Sequence, residues 1–456
     1  MALLIAGERS GVGKTTITLA LLAFLRSQNY KVQSFKVGPD YIDPMFHAAI
    51  TGSPCYNLDP ILTSLDYVKD SFARRSQAKE MAIVEGVMGL FDGVQNDNVL
   101  DYGSSAHIAR ILNLPVVLVL DCAKISTSVA AIAQGYRDFD PNVKIVGVIL
   151  NRVKSERHKE FLQLALDSIS MPILGILPME DRLLLPERHL GLVPIAEMDN
   201  LTDFSQMAAQ IVANHLDWSK LFPLLKLEAK NYSSPVNEPI ASVKIALAQD
   251  KSFSFYYGDQ LEILQELGAQ LIRWSPLEDP DLPKDCQGMI FGGGFPEVFA
   301  EGLSANLSAR SAVFKNIKNG MPTYAECGGL MYLGQKLTDH QGQSWDMVGS
   351  IATQSKMTKS LTLGYKQALV LRDTQLFKKG EKLIGHEFHY SKTDGILTNP
   401  LFKISRYSSK QEKQWQDEGY HLYNLHASYL HLHFAQNNSL AARFLRCCLD
   451  FSPKNH

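Results

Sequence analysis

From its first residues the chain alternates short apolar runs with amphipathic stretches. ALLIA (2–6), KVQSFKV (31–37), EMAIVEG (80–86), LPVVLVLD (114–121), KIVGVIL (144–150) and MPILGIL (171–177) are bounded by Gly, Pro or charged residues. Runs of this kind predict strands buried on both faces of a parallel sheet. A helix is predicted over 15–28, and strands alternating with helices imply βαβ units with right-handed crossovers. Around 225–242 (LKLEAKNYSSPVNEPIAS) the periodicity lapses and Asn, Ser, Pro and charge gather, which predicts a linker. The alternation then restarts. VKIALAQD predicts a strand, YGDQLEILQELG a helix, QLIRWSP a strand, and GMIFGGGFPE a strand entering a glycine turn. MPTYAECGGLMYLG predicts strand, sharp turn and helix, and the last third, from about Trp345, is richer in β-type patterns before a helix near 439–449. The expected fold class is α/β in two domains, each a mostly parallel sheet flanked by helices: residues 1–225, a linker at 226–242, and residues 243–456.

Composition narrows this picture. A length of 456 residues exceeds one ordinary core at ~150 residues per domain. Lys+Arg 45 against Asp+Glu 47, with no long single-sign run, argues against nucleic acid or a membrane surface as the main partner. No apolar run approaches the ~20 residues of a spanning helix. The apolar start breaks at Gly7 and makes a poor signal peptide. Six scattered cysteines without a CxxC argue against a disulfide framework or zinc site, so a cytoplasmic location is expected.

The stretch GERSGVGKTT (7–16) follows the first strand and opens the first helix. Gly7 and Gly13 are separated by five residues, one more than in the usual phosphate-binding loop. Backbone N–H groups of such a turn, at Gly11 and Gly13, face phosphate at the positive end of a helix. Lys14 would reach the β/γ-phosphates and Thr15 would sit on Mg²⁺, with Thr16 beside it. The longer spacing resembles the loop of dethiobiotin synthetase-like enzymes, which use ATP to activate a carboxylate. After the second strand come Lys36, Asp40 and Asp43, and Glu85 ends a third strand, followed by Asp92. Ligands gather at the carboxyl ends of such strands, so Thr15, Asp40 and Glu85 are candidate oxygen ligands of Mg²⁺; Asp40 and Asp43 could instead cap helices or turns. Asn151, at another strand end, is either an adenine-reading side chain or a plain turn residue.

Cys327 in TYAECGGLMYLG stands on a predicted strand–turn–helix elbow, at a helix N-terminus that favours thiolate. The N–H of Gly328 could donate to an oxyanion, with a partner from Gly293 or Gly294. A base is expected downstream. ASYLHLHF predicts a strand with Tyr429, His431 and His433 on one face. His431 is the preferred base, with His433, His426, His386 and His389 as competitors. A metal reading of HEFH misses the HExxH spacing by one residue.

Together these halves resemble the cobyrinic acid a,c-diamide synthase family, which joins a dethiobiotin synthetase-like ATP domain to a class I glutamine amidotransferase-like domain. The resemblance is carried by GERSGVGKTT, FKVGPDYIDP, VEGVMGLFDG, PMEDRLLLPERHLGL, FGGGFPE, AECGGLMYLG, GHEFHYS and SYLHLHF, which span nearly the whole chain. It implies that Cys327 is the glutaminase nucleophile and that His431 raises its nucleophilicity. It also implies that Lys36 serves the ATP site, that Asp40, Tyr41, Ile42 and Asp92 lie where substrate is positioned, and that Mg-ATP, glutamine or ammonia, and cobyrinic acid are the small-molecule partners of a possible homodimer. Typical class I amidotransferases carry His-Pro-Glu where this chain has His431-Leu432-His433, which suggests a dyad variant. The rivals are the same chemistry on hydrogenobyrinic acid or nickel sirohydrochlorin, a cobyric acid synthase, and a MinD/ParA-like switch ATPase. The last expects an early second lysine in the loop, where position 9 is arginine.

Overall fold

The computed structural model describes residues 2–96, 99–183, 200–228, 242–395, 399–408 and 414–451, with isolated positions between these runs. The chain divides into two compact units, residues 1–234 and 235–456. About half of the predicted linker, and residues 184–186, 189 and 190 of the PMEDRLLLPERHLGL stretch, lie outside the described residues. Among the described residues no helix is long and apolar enough to cross a membrane.

The first unit is a seven-stranded sheet. Its strands are β1 (Leu3–Gly7), β2 (Val32–Val37), β3 (Tyr56–Leu58), β4 (Met81–Glu85), β5 (Val116–Asp121), β6 (Ile145–Val153) and β7 (Ile173–Pro178), in the spatial order β3-β2-β4-β1-β5-β6-β7. Every neighbouring pair is parallel. β1 therefore sits at the centre, where the direction of winding reverses and ligands collect in open α/β sheets. Alternate residues of these strands are buried on both faces, which is why the runs are continuously apolar: Leu3, Leu4, Ile5, Val117, Leu118 and Val119 are all fully buried. Helix α1 (Lys14–Ser27) leaves the loop after β1, and α2 (Ile42–Thr51) follows β2.

The second unit opens with β8 (Val243–Ala248), β9 (Ala269–Trp274), β10 (Gly288–Phe291) and β11 (Thr323–Glu326), followed by helix α3 (Gly328–Leu333). These strands are parallel to one another, and β11 is flanked by a further parallel strand from late in the chain, Leu425–Ser428. Ala246 and Ala248 enter one core and Val243, Ile245 and Leu247 the other, so this sheet too is covered on both faces. A second, largely antiparallel sheet is built on a long hairpin, β12 (Thr353–Val370) and β13 (Lys382–Gly395). Its alternation of polar and apolar residues is that of strands with one wet face.

One expectation is corrected here. ASYLHLHF is not one strand. The chain forms β14 (Leu425–Ser428), breaks at Tyr429–Leu430, and re-pairs as β15 (His431–Leu432) against β13 in the other sheet. The half-buried carboxylate of Glu418 holds the break, accepting from the Ser428 hydroxyl at 2.6 Å and from the Tyr429 N–H at 2.8 Å. Once the chain changes sheets, a two-residue period no longer fixes which way side chains face, and His433 instead caps a short 3-10 turn.

β15 can approach β13 because Gly385 has no side chain: a β carbon there would lie 2.4 Å from Leu430 Cγ and 2.8 Å from the His431 carbonyl oxygen. Gly385→Ala should therefore destabilise the second unit by ~1–3 kcal/mol through overpacking, read as a lower urea midpoint for that unit's unfolding transition.

Candidate functional sites

Two sites form, one in each unit. In the first, the backbone after β1 turns through left-handed conformations at Gly11 (φ 77°) and Gly13 (φ 97°) before α1 begins. A β carbon at Gly13 would meet the Asn151 amide at 2.3 Å, so the loop packs directly on the end of β6. Asn151 donates to the Val12 carbonyl at 2.8 Å. With Gly13, Thr16, Leu177, Pro178 and Glu180 it also lines a cleft. The Lys14 ammonium curls over the loop to donate to the Arg9 carbonyl at 3.1 Å. Burial and the neighbouring Lys36 push the Lys14 ammonium down to about 8, against the pull of Glu85 and Asp43.

The carboxyl ends of β2 and β4 supply the opposing charge. Glu85 is fully buried. Its Oε1 accepts from the Thr15 hydroxyl at 2.6 Å and from Lys36 Nζ at 2.8 Å. Burial alone would neutralise Glu85, but Lys36 and His47 hold it ionised. Lys36 also pairs with Asp43, whose other neighbour is the Thr15 hydroxyl at 3.2 Å. Asp43, more than Asp40, is thus the second carboxylate beside Thr15. Asp40 Oδ1 caps α2, accepting the N–H groups of Ile42 (2.8 Å) and Asp43 (3.1 Å), while its Oδ2 stands 3.8 Å from Lys36. Tyr41 and Ile42 are buried at the start of α2, and Asp92 closes the turn after β4 by accepting from the Gly89 N–H at 2.8 Å.

Sequence reasoning missed His47. Its Nε2 donates to Glu85 Oε2 at 2.6 Å, and its Nδ1 lies 3.4 Å from Cys55 Sγ. The signal was available in principle, because Asp43 and His47 are one helical turn apart and so share a face of α2. The Arg9 and Arg152 guanidiniums, which converge on Asp121 at 3.1 and 2.9 Å, were missed as well.

The second site is the turn from β11 into α3. Cys327 takes φ 47°, ψ −99°, a conformation that non-glycine residues avoid, and is 5% exposed. Three glycines make the turn possible. A β carbon at Gly329 would strike Phe291 at 2.6 Å, one at Gly328 would lie 3.2 Å from the Gly294 nitrogen, and one at Gly293 would lie 2.8 Å from the His431 ring. Gly293, Gly294, Gly328, Cys327 and His431 are accordingly neighbours.

His431 lies against both Cys327 and Glu326, its Nδ1 3.5 Å from Glu326 Oε2. Burial opposes a charge on the imidazole, but these two partners raise it to about 10. The competing histidines are engaged elsewhere. His433 bonds Asp259 at 3.1 Å. His426 stacks on Tyr324 in the core, with ring centroids 4.8 Å apart. His389 stacks on Tyr429 at 4.0 Å, and His386 pairs in register with His431 across β13 and β15. The oriented Cys–His pair on a strained strand-to-helix turn can act as a nucleophile and its acid–base partner.

A nucleotide-type loop with a carboxylate and lysine cluster, joined to a cysteine elbow, defines an amidotransferase class of enzyme in which one domain binds nucleotide and the other hydrolyses glutamine. Residues 3–193 match the CobQ/CobB/MinD/ParA nucleotide binding domain, and residues 244–439 match the CobB/CobQ-like glutamine amidotransferase domain. The chain is 50% identical to a cobyrinate a,c-diamide synthase of Synechococcus sp. over 98% of each chain. It is 48% identical to that of Synechocystis sp. (100% of this chain, 95% of the relative) and 45% identical to that of Gloeobacter violaceus (98% and 97%). The chain belongs to the cobyrinate a,c-diamide synthase family of glutamine-hydrolysing ligases.

The electrostatics of the second site predict selective chemistry. Burial holds the thiols of Cys122 (about 12), Cys286 and Cys447 (each about 11) and Cys448 protonated. At neutral pH, limiting iodoacetamide should label Cys327 ahead of these four in a peptide map. His431→Ala should slow that labelling at least ~10-fold by removing the acid–base partner beside the Cys327 sulfur.

Proposed function

We propose that this chain amidates the a and c carboxylates of cobyrinic acid in cobalamin biosynthesis, using ATP and glutamine. The observation that carries the proposal is identity of 45–50% over nearly the full length to relatives named for that reaction. In the first unit, the γ-phosphoryl group of ATP passes to a carboxylate oxygen, giving an acyl phosphate and ADP. Ammonia then attacks the acyl carbon and phosphate leaves. Oxide is too poor a leaving group for the unactivated acid, so the phosphorylation makes the amide attainable. At the phosphoryl step the protein's part is positioning and charge neutralisation. Lys14 and the loop N–H groups meet the phosphates, and Lys36 neutralises charge at the strand ends.

The donor set fits Mg²⁺. A hydroxyl (Thr15) and carboxylates (Glu85, Asp43, with Asp40 behind) are hard oxygen ligands. Among the described residues no three His, Cys, Asp or Glu side chains are grouped to hold a metal alone, so phosphate and water would complete the shell. Bound there, Mg²⁺ would supply charge neutralisation on the phosphate oxygens.

In the second unit, the Cys327 thiolate attacks the glutamine amide carbon, and the oxyanion would receive the N–H of Gly328 with that of Gly293 or Gly294. His431 gives its proton to the departing ammonia, then takes one from the water that hydrolyses the thioester to glutamate. That His431 holds its proton through the neutral range supports its part as the proton donor to the departing ammonia.

Incubation of cobyrinic acid with Mg-ATP and glutamine should yield two successive amidations by mass spectrometry. Failure on cobyrinic acid with turnover of hydrogenobyrinic acid or nickel sirohydrochlorin would reassign the macrocycle, and amidation at other side chains would reassign the regiochemistry. Cys327→Ala should abolish glutamine-driven amidation and spare the ammonia-driven reaction. Lys14→Ala and Glu85→Gln should each reduce both by at least ~10²-fold, because both nitrogen sources need the same acyl phosphate.

A further inference from the structure

Where typical class I amidotransferases carry a glutamate two residues after the histidine, this chain has His433, and His433 is committed to Asp259. A carboxylate nonetheless faces the histidine from the other direction. Glu326 is the last residue of β11, directly before Cys327, and is 5% exposed. Its Oε2 lies 3.5 Å from His431 Nδ1. Its Oε1 accepts the Leu432 N–H at 2.9 Å and the Tyr324 hydroxyl at 2.5 Å. The carboxylate is thus gripped by its own strand and by β15, the element that carries the histidine.

Residues 326 and 327 would face opposite ways in a continuing strand. The turn at Cys327 breaks that alternation, so neighbouring side chains reach the same imidazole. We propose that Glu326 is the positioning residue of the glutaminase site. It holds His431 with its Nδ1 proton toward the carboxylate and its Nε2 toward Cys327, and completes a triad whose acid precedes the nucleophile. The proposal rests on Cys327 and His431 being the glutaminase pair. The other titratable groups around His431 are His386 and His389 of β13, both held neutral by burial. Glu326 is therefore the one carboxylate that His431 meets among the described residues.

The test compares glutamine-driven with ammonia-driven amidation in the full-length enzyme from about pH 6 to about pH 10. Glu326→Gln should lower glutamine-driven kcat by ~10²-fold or more and leave the ammonia-driven rate unchanged. It should also move the alkaline limb of the glutamine profile to lower pH, because loss of the anion weakens the hold of His431 on its proton. Glu326→Asp should recover part of the rate and of the limb. Tyr324→Phe, which loosens Oε1 but keeps the charge, should cost several-fold in kcat with the limb in place.

Wild-type kcat in Glu326→Gln, or a loss of kcat with an unmoved alkaline limb, would overturn the positioning role while leaving the Cys327 assignment intact. Should Glu326→Gln fold poorly, the limb measured in Glu326→Asp decides the same question. Glutamine-driven turnover surviving in Cys327→Ala would instead remove the site assignment, and the role of Glu326 with it.

Discussion

The left-handed backbone at Cys327 is the constraint on which the second unit is organised. A cysteine at φ 47° costs on the order of 1–3 kcal/mol, and the surrounding packing must over-determine it. Gly329 lies flat against Phe291, Gly328 against Gly294, and the Cys327 N–H donates to the Ser428 carbonyl at 2.8 Å. These contacts tie the turn to β10, to the glycine turn that follows β10, and to β14. The same strain turns the thiol out of the β alternation and starts α3, whose N-terminus favours an anion. Stability offsets the distortion elsewhere in the sheet, and the distortion places the thiol beside His431.

The first unit solves a different problem, the concentration of like charge. Glu85, Asp43 and Asp40 gather at the strand ends within reach of a single lysine. Burial and the neighbouring Asp40 and Glu85 carboxylates push Asp43 up, against the pull of Lys36. Glu85 remains anionic because it has two partners, Lys36 on one oxygen and His47 on the other. Within the cluster, Glu85 Oε1 and Asp43 Oδ2 face the Thr15 hydroxyl, while Asp40 caps α2. His47 is fully buried behind it, which fixes Glu85 from the side opposite to the phosphate loop.

Much of this was legible in the chain, for identifiable reasons. Strands covered on both faces are continuous apolar runs, so β1, β2 and β4 to β11 stand out, whereas β3 is three residues with a polar centre, Asn57. The hairpin β12–β13 has one wet face and many Lys, Thr and Ser positions, so it shows as a β-rich region without resolved elements. Lys36 and Glu85 sit at strand ends, and Lys14 and Thr15 open the helix that the first strand's loop leads into, so sequence locates them. Asp40 and Asp43 are three residues apart at a helix start, where only the direction of α2 decides which one caps and which one faces Thr15. SYLHLHF keeps its alternation through a change of sheet that no local pattern marks.

Under the proposed triad, the carboxylate beside His431 illustrates why motif position alone is a poor guide to an orienting group. An orienter needs only to present a fixed acceptor to Nδ1, and the fold can bring it from any element that reaches the ring. A residue two positions beyond the histidine reaches it when the strand continues through it. Here the chain has just crossed between sheets and ends in two strand residues, so the following side chain, His433, is turned away to Asp259. The residue before the nucleophile becomes available because the elbow reverses the chain there. Glu326 and Cys327 then approach one imidazole from a single peptide unit, and any shift of β11 carries both side chains together relative to His431. That coupling makes the grip of Leu432 N–H and Tyr324 on Glu326 a determinant of the site, since it locks β15 to β11 at the level of the reacting atoms.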